Sequence, residues 1–141
     1  PLIATQGIVS FCSPTNNQVG VAMAFRRASD FDYFRSLSSS LESKRNMLCD
    51  ALDDAGLSTI RPQGGYFVLA DTSNIPVGAC ERRDDAVNQW LTEHVGITGI
   101  PTSYFFSDHN RELSDKILRF AYCKTDEEIS RATLLLKNFK Q

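Results

Sequence analysis

Ile117-Leu118-Arg119-Phe120-Ala121-Tyr122-Cys123 reads as a strand that carries one charge among apolar neighbours. Period-two alternation puts Ile117, Arg119, Ala121 and Cys123 on one face and Leu118, Phe120 and Tyr122 on the other. Phe120 and Tyr122 can then pack beneath a sheet while Arg119 points to the opposite side. A guanidinium left unpaired in such a place is costly, and its planar fork of donors matches a carboxylate. Arg119 therefore has either a structural role, paired with an acid such as Asp71 or snorkelling from a strand edge, or an acidic small molecule as its partner.

The flanks of this strand build the rest of the fold. On its C-terminal side Thr125 and Glu128 form a capping box, and Ile129, Ala132, Leu135, Leu136 and Phe139 define an amphipathic last helix. On its N-terminal side residues 107–115 read as a polar loop and Ile97 to Ile100 as a brief strand closed by Pro101. A helix over about 84–95 opens on Asp84-Asp85, which suit its positive end, and stops at Gly96, with Val87, Trp90, Leu91 and Val95 inward. Residues 74–82 form a loop. Leu57 to Arg61 and Tyr66 to Asp71 are short strands around the turn Pro62-Gln63-Gly64-Gly65. Phe34, Leu37, Leu41, Leu48 and Leu52 mark a long helix from about 30 to 55, with Gly56 as its C-cap. Before a break at Ala28-Ser29-Asp30, residues 14–27 are helical, with Pro14 in a favourable first-turn position and Val19, Ala22 and Met23 on one side. The order predicts an α+β fold: a small antiparallel sheet with helices packed on one face, preceded by a long linking helix.

A chain of 141 residues, 42% hydrophobic and 23% charged, suits one domain with a core that needs neither disulfide nor metal. The net charge of -2, with basic residues scattered among acids, speaks against a nucleic-acid or membrane-surface binder. No window approaches the roughly 18 unbroken apolar residues of a membrane span. The N-terminus lacks the pattern of a signal peptide and begins without methionine, which reads as chain cut from something longer or as the result of processing. Cys12, Cys49, Cys80 and Cys123 are far apart and read as reduced and mostly buried, which favours an intracellular chain. No metal-ligand spacing involves them, His94 or His109.

Two further stretches carry chemistry. Gly64-Gly65 before Tyr66-Phe67 is either a tight turn that needs a positive φ or a place where a ligand comes close to backbone, with the Tyr66 ring and hydroxyl beside it. Ile100-Pro101-Thr102-Ser103-Tyr104-Phe105 either borders a pocket or merely ends a strand. No GxSxG, P-loop or HExxH motif is present.

Pro62-Gln63-Gly64-Gly65-Tyr66-Phe67, Ile100-Pro101-Thr102-Ser103-Tyr104-Phe105 and Arg119-Phe120 with Lys124 together resemble the C-terminal part of class I pyridoxal-phosphate aminotransferases, of fold type I. Trp90-Leu91-Thr92-Glu93-His94-Val95-Gly96 and Phe67-Val68-Leu69-Ala70-Asp71-Thr72-Ser73 resemble the kynurenine aminotransferase branch, also called glutamine transaminase K or cysteine-S-conjugate β-lyase. The likeness runs over essentially the whole chain, in the family's order.

The resemblance implies that Arg119 binds the substrate α-carboxylate, with Gly65 and Tyr66 on the substrate side of the cleft. Phe11 resembles an aromatic that reaches into the neighbouring subunit's active site; Cys12 stands where some relatives have histidine. Residues 1–28 are expected to be an inter-domain and dimer-contact segment, 29–56 the linking helix and 57–141 the substrate-carboxylate domain. The parent would be a homodimer that moves an amino group between an amino acid and a 2-oxo acid, with β-elimination of cysteine conjugates alongside, in the cytoplasm or mitochondria. The family's Schiff-base lysine is expected upstream of residue 1, on the missing cofactor-binding domain. Lys44, Lys116, Lys124, Lys137 and Lys140 all lie in other contexts. The chain alone is thus expected to hold no pyridoxal phosphate, to contain no catalytic residue and to be inactive. The rival reading is a stand-alone module that binds an acidic metabolite or a partner chain through Arg119. A domain parted from its partner should also leave apolar surface uncovered along residues 1–13 and the 30–55 helix.

Overall fold

The computed structural model describes residues 2–9 and 11–139. Its internal contacts divide the chain into two units, Pro1–Ser39 and Ser40–Gln141, with the boundary inside a helix.

The first unit holds α1 (Leu2–Val9), α2 (Thr15–Ala28), a 3-10 turn at Ser29–Phe31 and the opening of α3 (Tyr33–Asp54). Helix α1 was not anticipated from the sequence; it buries none of its residues, so no amphipathic stripe marks it. Pro14 stands just before the first residue of α2 rather than inside its first turn. The expected break is real but ends later, at Asp32, which adopts φ +49°. A short polar side chain tolerates that left-handed geometry, so the long helix starts at Tyr33 instead of near residue 30. Phe25 and Phe34 stack at 5.9 Å.

The second unit is the α+β body that the apolar pattern predicts. Strands β1 (Ser58–Ile60), β2 (Phe67–Asp71), β3 (Ile100–Pro101) and β4 (Ile117–Ala121) form one antiparallel sheet in the order β1-β2-β4-β3. Alternation turns Val68, Ala70, Leu118 and Phe120 to the core, where they meet Leu48 and Leu52 of α3, Val87 and Leu91 of α4 (Arg83–His94), and Ile129 and Leu136 of α5 (Asp126–Asn138). Each fully buried leucine there contributes about 2 kcal/mol of transfer free energy. All three helices therefore serve the same face of the sheet.

The capping box at Thr125 is formed in both directions, with Glu128 N donating to Thr125 Oγ1 at 3.2 Å and Thr125 N to Glu128 Oε2 at 2.9 Å. Trp90 is only half buried and stacks on His94. Three expectations need correction. The strand read over Ile97 to Ile100 shrinks to Ile100–Pro101, because the Gly99 amide donates to Asn88 Oδ1 at 2.7 Å instead of joining a ladder. The loop 107–115 contains a 3-10 helix, Asp108–Leu113, closed by amides of Asn110 and Ser114 bonding back to Ser107 and Arg111. Of the four free cysteines only Cys49 is buried. Cys12 and Cys80 lie in connections and Cys123 falls just beyond β4, all three exposed.

Candidate functional site

Arg119 occupies the centre of β4, opposite Leu69 of β2 and Ile100 of β3, on the face turned away from the helices. Two rings lie against it: Phe67 at 4.1 Å and Phe105 at 4.6 Å from the guanidinium carbon. Its Nε is buried without a hydrogen-bond partner, and among the described residues no hydrogen bond or ion pair engages the group. Asp71 does not serve it. Asp71 is in register with Ile117 and accepts the Ser73 amide at 2.7 Å, and hydrogen bonding from Ser73 holds its carboxyl below the usual range. Arg119 is thus a cation that is ring-packed, half buried and unpaired, with donors aimed at no residue of the described chain.

The glycine turn is tied to the same strand. Tyr122, just past β4, donates its hydroxyl to Gly65 O at 3.0 Å and its amide to Tyr66 O at 3.0 Å. Burial raises the pKa of the Tyr122 phenol, so it remains a donor. Gly65 sits at φ +76°, a conformation that costs other residues about 1 kcal/mol or more. The half-exposed Tyr66 ring lies 4.6 Å from Phe67, so Gly65, Tyr66, Phe67 and Arg119 form one continuous cluster. Phe11 is exposed and belongs to the first unit.

The sequence reading quoted Ser103 and Phe105 only within a stretch that borders a pocket or ends a strand, and Asp84 only as a helix-start acid; the structure links all three to this cluster. The Thr102–Phe105 turn is fixed through its first two residues. Thr102 Oγ1 donates to Ser114 O at 2.9 Å and Ile117 O at 2.8 Å. Asp84, fully buried, accepts Ser103 N at 2.8 Å and Ser103 Oγ at 3.0 Å. Arg82 adds a bond to Ser103 Oγ at 3.3 Å and lies over the Tyr104 ring, while the Tyr104 hydroxyl donates to Asp85 at 2.7 Å, which raises its pKa. A signal for Asp84 existed. It stands three residues before Val87 on the stripe that continues through Leu91 and Val95, so its burial follows from helical spacing.

Among the described residues no cluster of His, Cys, Asp or Glu is arranged to hold a metal, and no helix is long and apolar enough to cross a membrane. Lys44 is committed to the Lys124 carbonyl at 2.6 Å and to Asp126 at 3.2 Å. Lys116, Lys124 and Lys137 are exposed, and Lys140 lies outside the described residues.

Comparison with known proteins places this geometry in context. Residues 3–133 match the family Aminotransferase class I and II. The kynurenine–oxoglutarate transaminase of Dictyostelium discoideum is 32% identical over 91% of this chain and 32% of its own length. Human kynurenine–oxoglutarate transaminase 3 is 31% identical over 94% of this chain and 31% of its own. The chain therefore spans about a third of the length of the curated relatives it matches. Crystal structures agree in fold. Bna3p of Saccharomyces cerevisiae superposes with a TM-score of 0.84 at 29% identity, over 95% of this chain and 34% of that one. YbdL of Escherichia coli, described as having a methionine aminotransferase function, gives 0.76 at 26% identity over 94% and 32%. The chain belongs to the class I and II aminotransferase family, in its kynurenine–oxoglutarate transaminase branch.

Proposed function

We propose that this chain is the C-terminal, substrate-carboxylate domain of a pyridoxal-phosphate-dependent aminotransferase. The parent moves an amino group from kynurenine, glutamine or a similar amino acid to a 2-oxo acid, with β-elimination of cysteine S-conjugates as a second outcome. The observation that carries this reading is Arg119, ring-packed on Phe67 and Phe105 with a buried Nε that no described residue satisfies. Both substrates of a transamination carry a carboxylate beside the reacting carbon. One bidentate arginine therefore orients amino donor and acceptor alike. Tyr66 and Gly65 form the rim beside it.

The described residues do not fit the cofactor itself. Lys44 is already paired, and the exposed lysines belong to no phosphate cradle or ring-binding set. The cofactor and the lysine that carries it are therefore assigned to a preceding domain of the parent. In the homodimer, Phe11 reaches the neighbouring subunit's site. The chain alone is inactive.

The test is Arg119→Gln in the full-length enzyme. The KM for amino acid and for 2-oxo acid should both rise by about 10–100-fold, as expected for losing charge-assisted hydrogen bonds of about 1.5–3 kcal/mol. The absorbance of the bound cofactor should not change. Unaltered KM values for both acids would overturn the reading.

A further inference from the structure

We infer that Asp84 is a positioning residue for substrate binding, holding the Ser103–Phe105 turn so that the Phe105 ring stays against the Arg119 guanidinium. The inference rests on the reading of Arg119 as the carboxylate anchor. Asp84 is the only acid among the buried described residues. A carboxylate that leaves water must be matched by hydrogen bonds or it destabilises the fold. Its neighbour Asp85, half buried, already provides negative charge for the start of α4. Asp84 accepts the Asp85 amide at 3.1 Å within its own helix, but its two shorter bonds come from Ser103, whose amide and hydroxyl both donate to it.

The path from Ser103 to Arg119 is short and stiff. The Phe105 amide donates to Thr102 O at 3.0 Å, so one 3-10 turn links the residue held by Asp84 to the residue that touches Arg119. The Phe105 ring is 60% exposed, which leaves the backbone turn as the main determinant of its place. Arg119 in turn has no polar partner among the described residues, so its rings restrict the guanidinium before a ligand arrives. When the turn is released, Arg119 must be ordered at the moment of binding, and the lost side-chain entropy weakens the bound state. The effect falls on KM for every carboxylate substrate. The chemical step, which uses groups outside this chain, keeps its kcat.

The experiment is a double-mutant cycle in the full-length holoenzyme. Asp84→Leu should raise KM for amino acid and 2-oxo acid by about three- to tenfold with kcat within about twofold, and Phe105→Ala should do the same without lowering Tm. The double variant should be no worse than the larger single one, because both act through the same ring. Asp84→Asn should stay within about twofold of the starting KM, since its carbonyl accepts the Ser103 amide and its NH2 donates to Ser103 Oγ. Should Asp84→Leu fail to fold, Ser103→Ala takes its place in the cycle, with a smaller KM rise that vanishes in the Phe105→Ala background. Additive effects, or a lowered Tm with unchanged KM, would overturn the proposal. Arg119→Gln run alongside separates the two levels. If it raises KM while the Asp84 and Ser103 variants do not, only the positioning role falls; if it leaves KM unchanged, both readings fall.

Discussion

A guanidinium flanked by Phe67 and Phe105 gains about 1 kcal/mol from each ring at a partly exposed site. That is less than a buried acid would supply, but it occupies none of the nitrogen donors. Orientation and availability are thereby separated: the rings fix the plane, and the N–H groups stay free. The strand that carries Arg119 is also sensitive to its neighbour Gly99, just before β3. A methyl group there would come within 3.1 Å of the Phe120 ring and 3.3 Å of the Arg119 carbonyl, and Phe120 is locked in the core. Gly99→Ala should therefore cost about 1–3 kcal/mol through overpacking, read as a lower denaturant midpoint with unchanged slope. At this scale much of the site was legible. The alternation of β4 put Arg119 opposite the core, and the glycine pair announced the Gly65 turn. Phe105 was not legible, because nothing local ties it to Arg119. The β3–β4 pairing and the long-range bonds of Thr102 bring the turn to the strand, and Asp84 ties it to α4.

Among the elements, α5 was the most readable. Its capping box and its apolar stripe of Ile129 and Leu136 are both present. α2 was found from sequence although it buries only Ala28 and leaves Val19 and Met23 exposed, whereas α1, which buries nothing, was not. β3 was misjudged because Asn88 takes an amide that the pattern assigned to a strand. The box also sets a pH dependence. Bonds from the Thr125 backbone and side chain hold the Glu128 carboxyl below its ordinary range. A folded-state pKa below the unfolded one means stability that is complete above the ordinary glutamate value and lost as pH falls through the folded value. Thr125→Ala should cost about 1 kcal/mol at neutral pH. The difference in melting temperature between variant and parent should narrow as pH falls through the lowered folded-state value of Glu128, below the ordinary glutamate range. A gap that stays constant with pH would separate the cap from the carboxylate.

For the molecule as a whole, apolar exposure is the dominant surface property of the first unit. Leu2, Ile3 and Phe11 are more than four-fifths exposed, and Phe34 and Leu37 of α3 are also uncovered. Val21, Phe25, Phe31 and Phe34 line an open cavity of about 570 Å3 within the same unit. Patches of this kind mark surfaces that meet another protein surface, in keeping with a chain that spans about a third of its relatives' length. In isolation the 141-residue chain should elute in size exclusion well above the 15.7 kDa of a monomer. Phe25→Ser with Phe34→Ser should return it toward that mass. A sharp monomer peak from the unaltered chain would show that the exposed face does not associate.

Tyr122 gives β4 a second use. It suspends the Gly64-Gly65 turn from the strand three positions after Arg119, so the turn and the guanidinium are mounted on one bar. The gauge between them is therefore set inside one strand and its extension, like the two jaws of a caliper on a single bar.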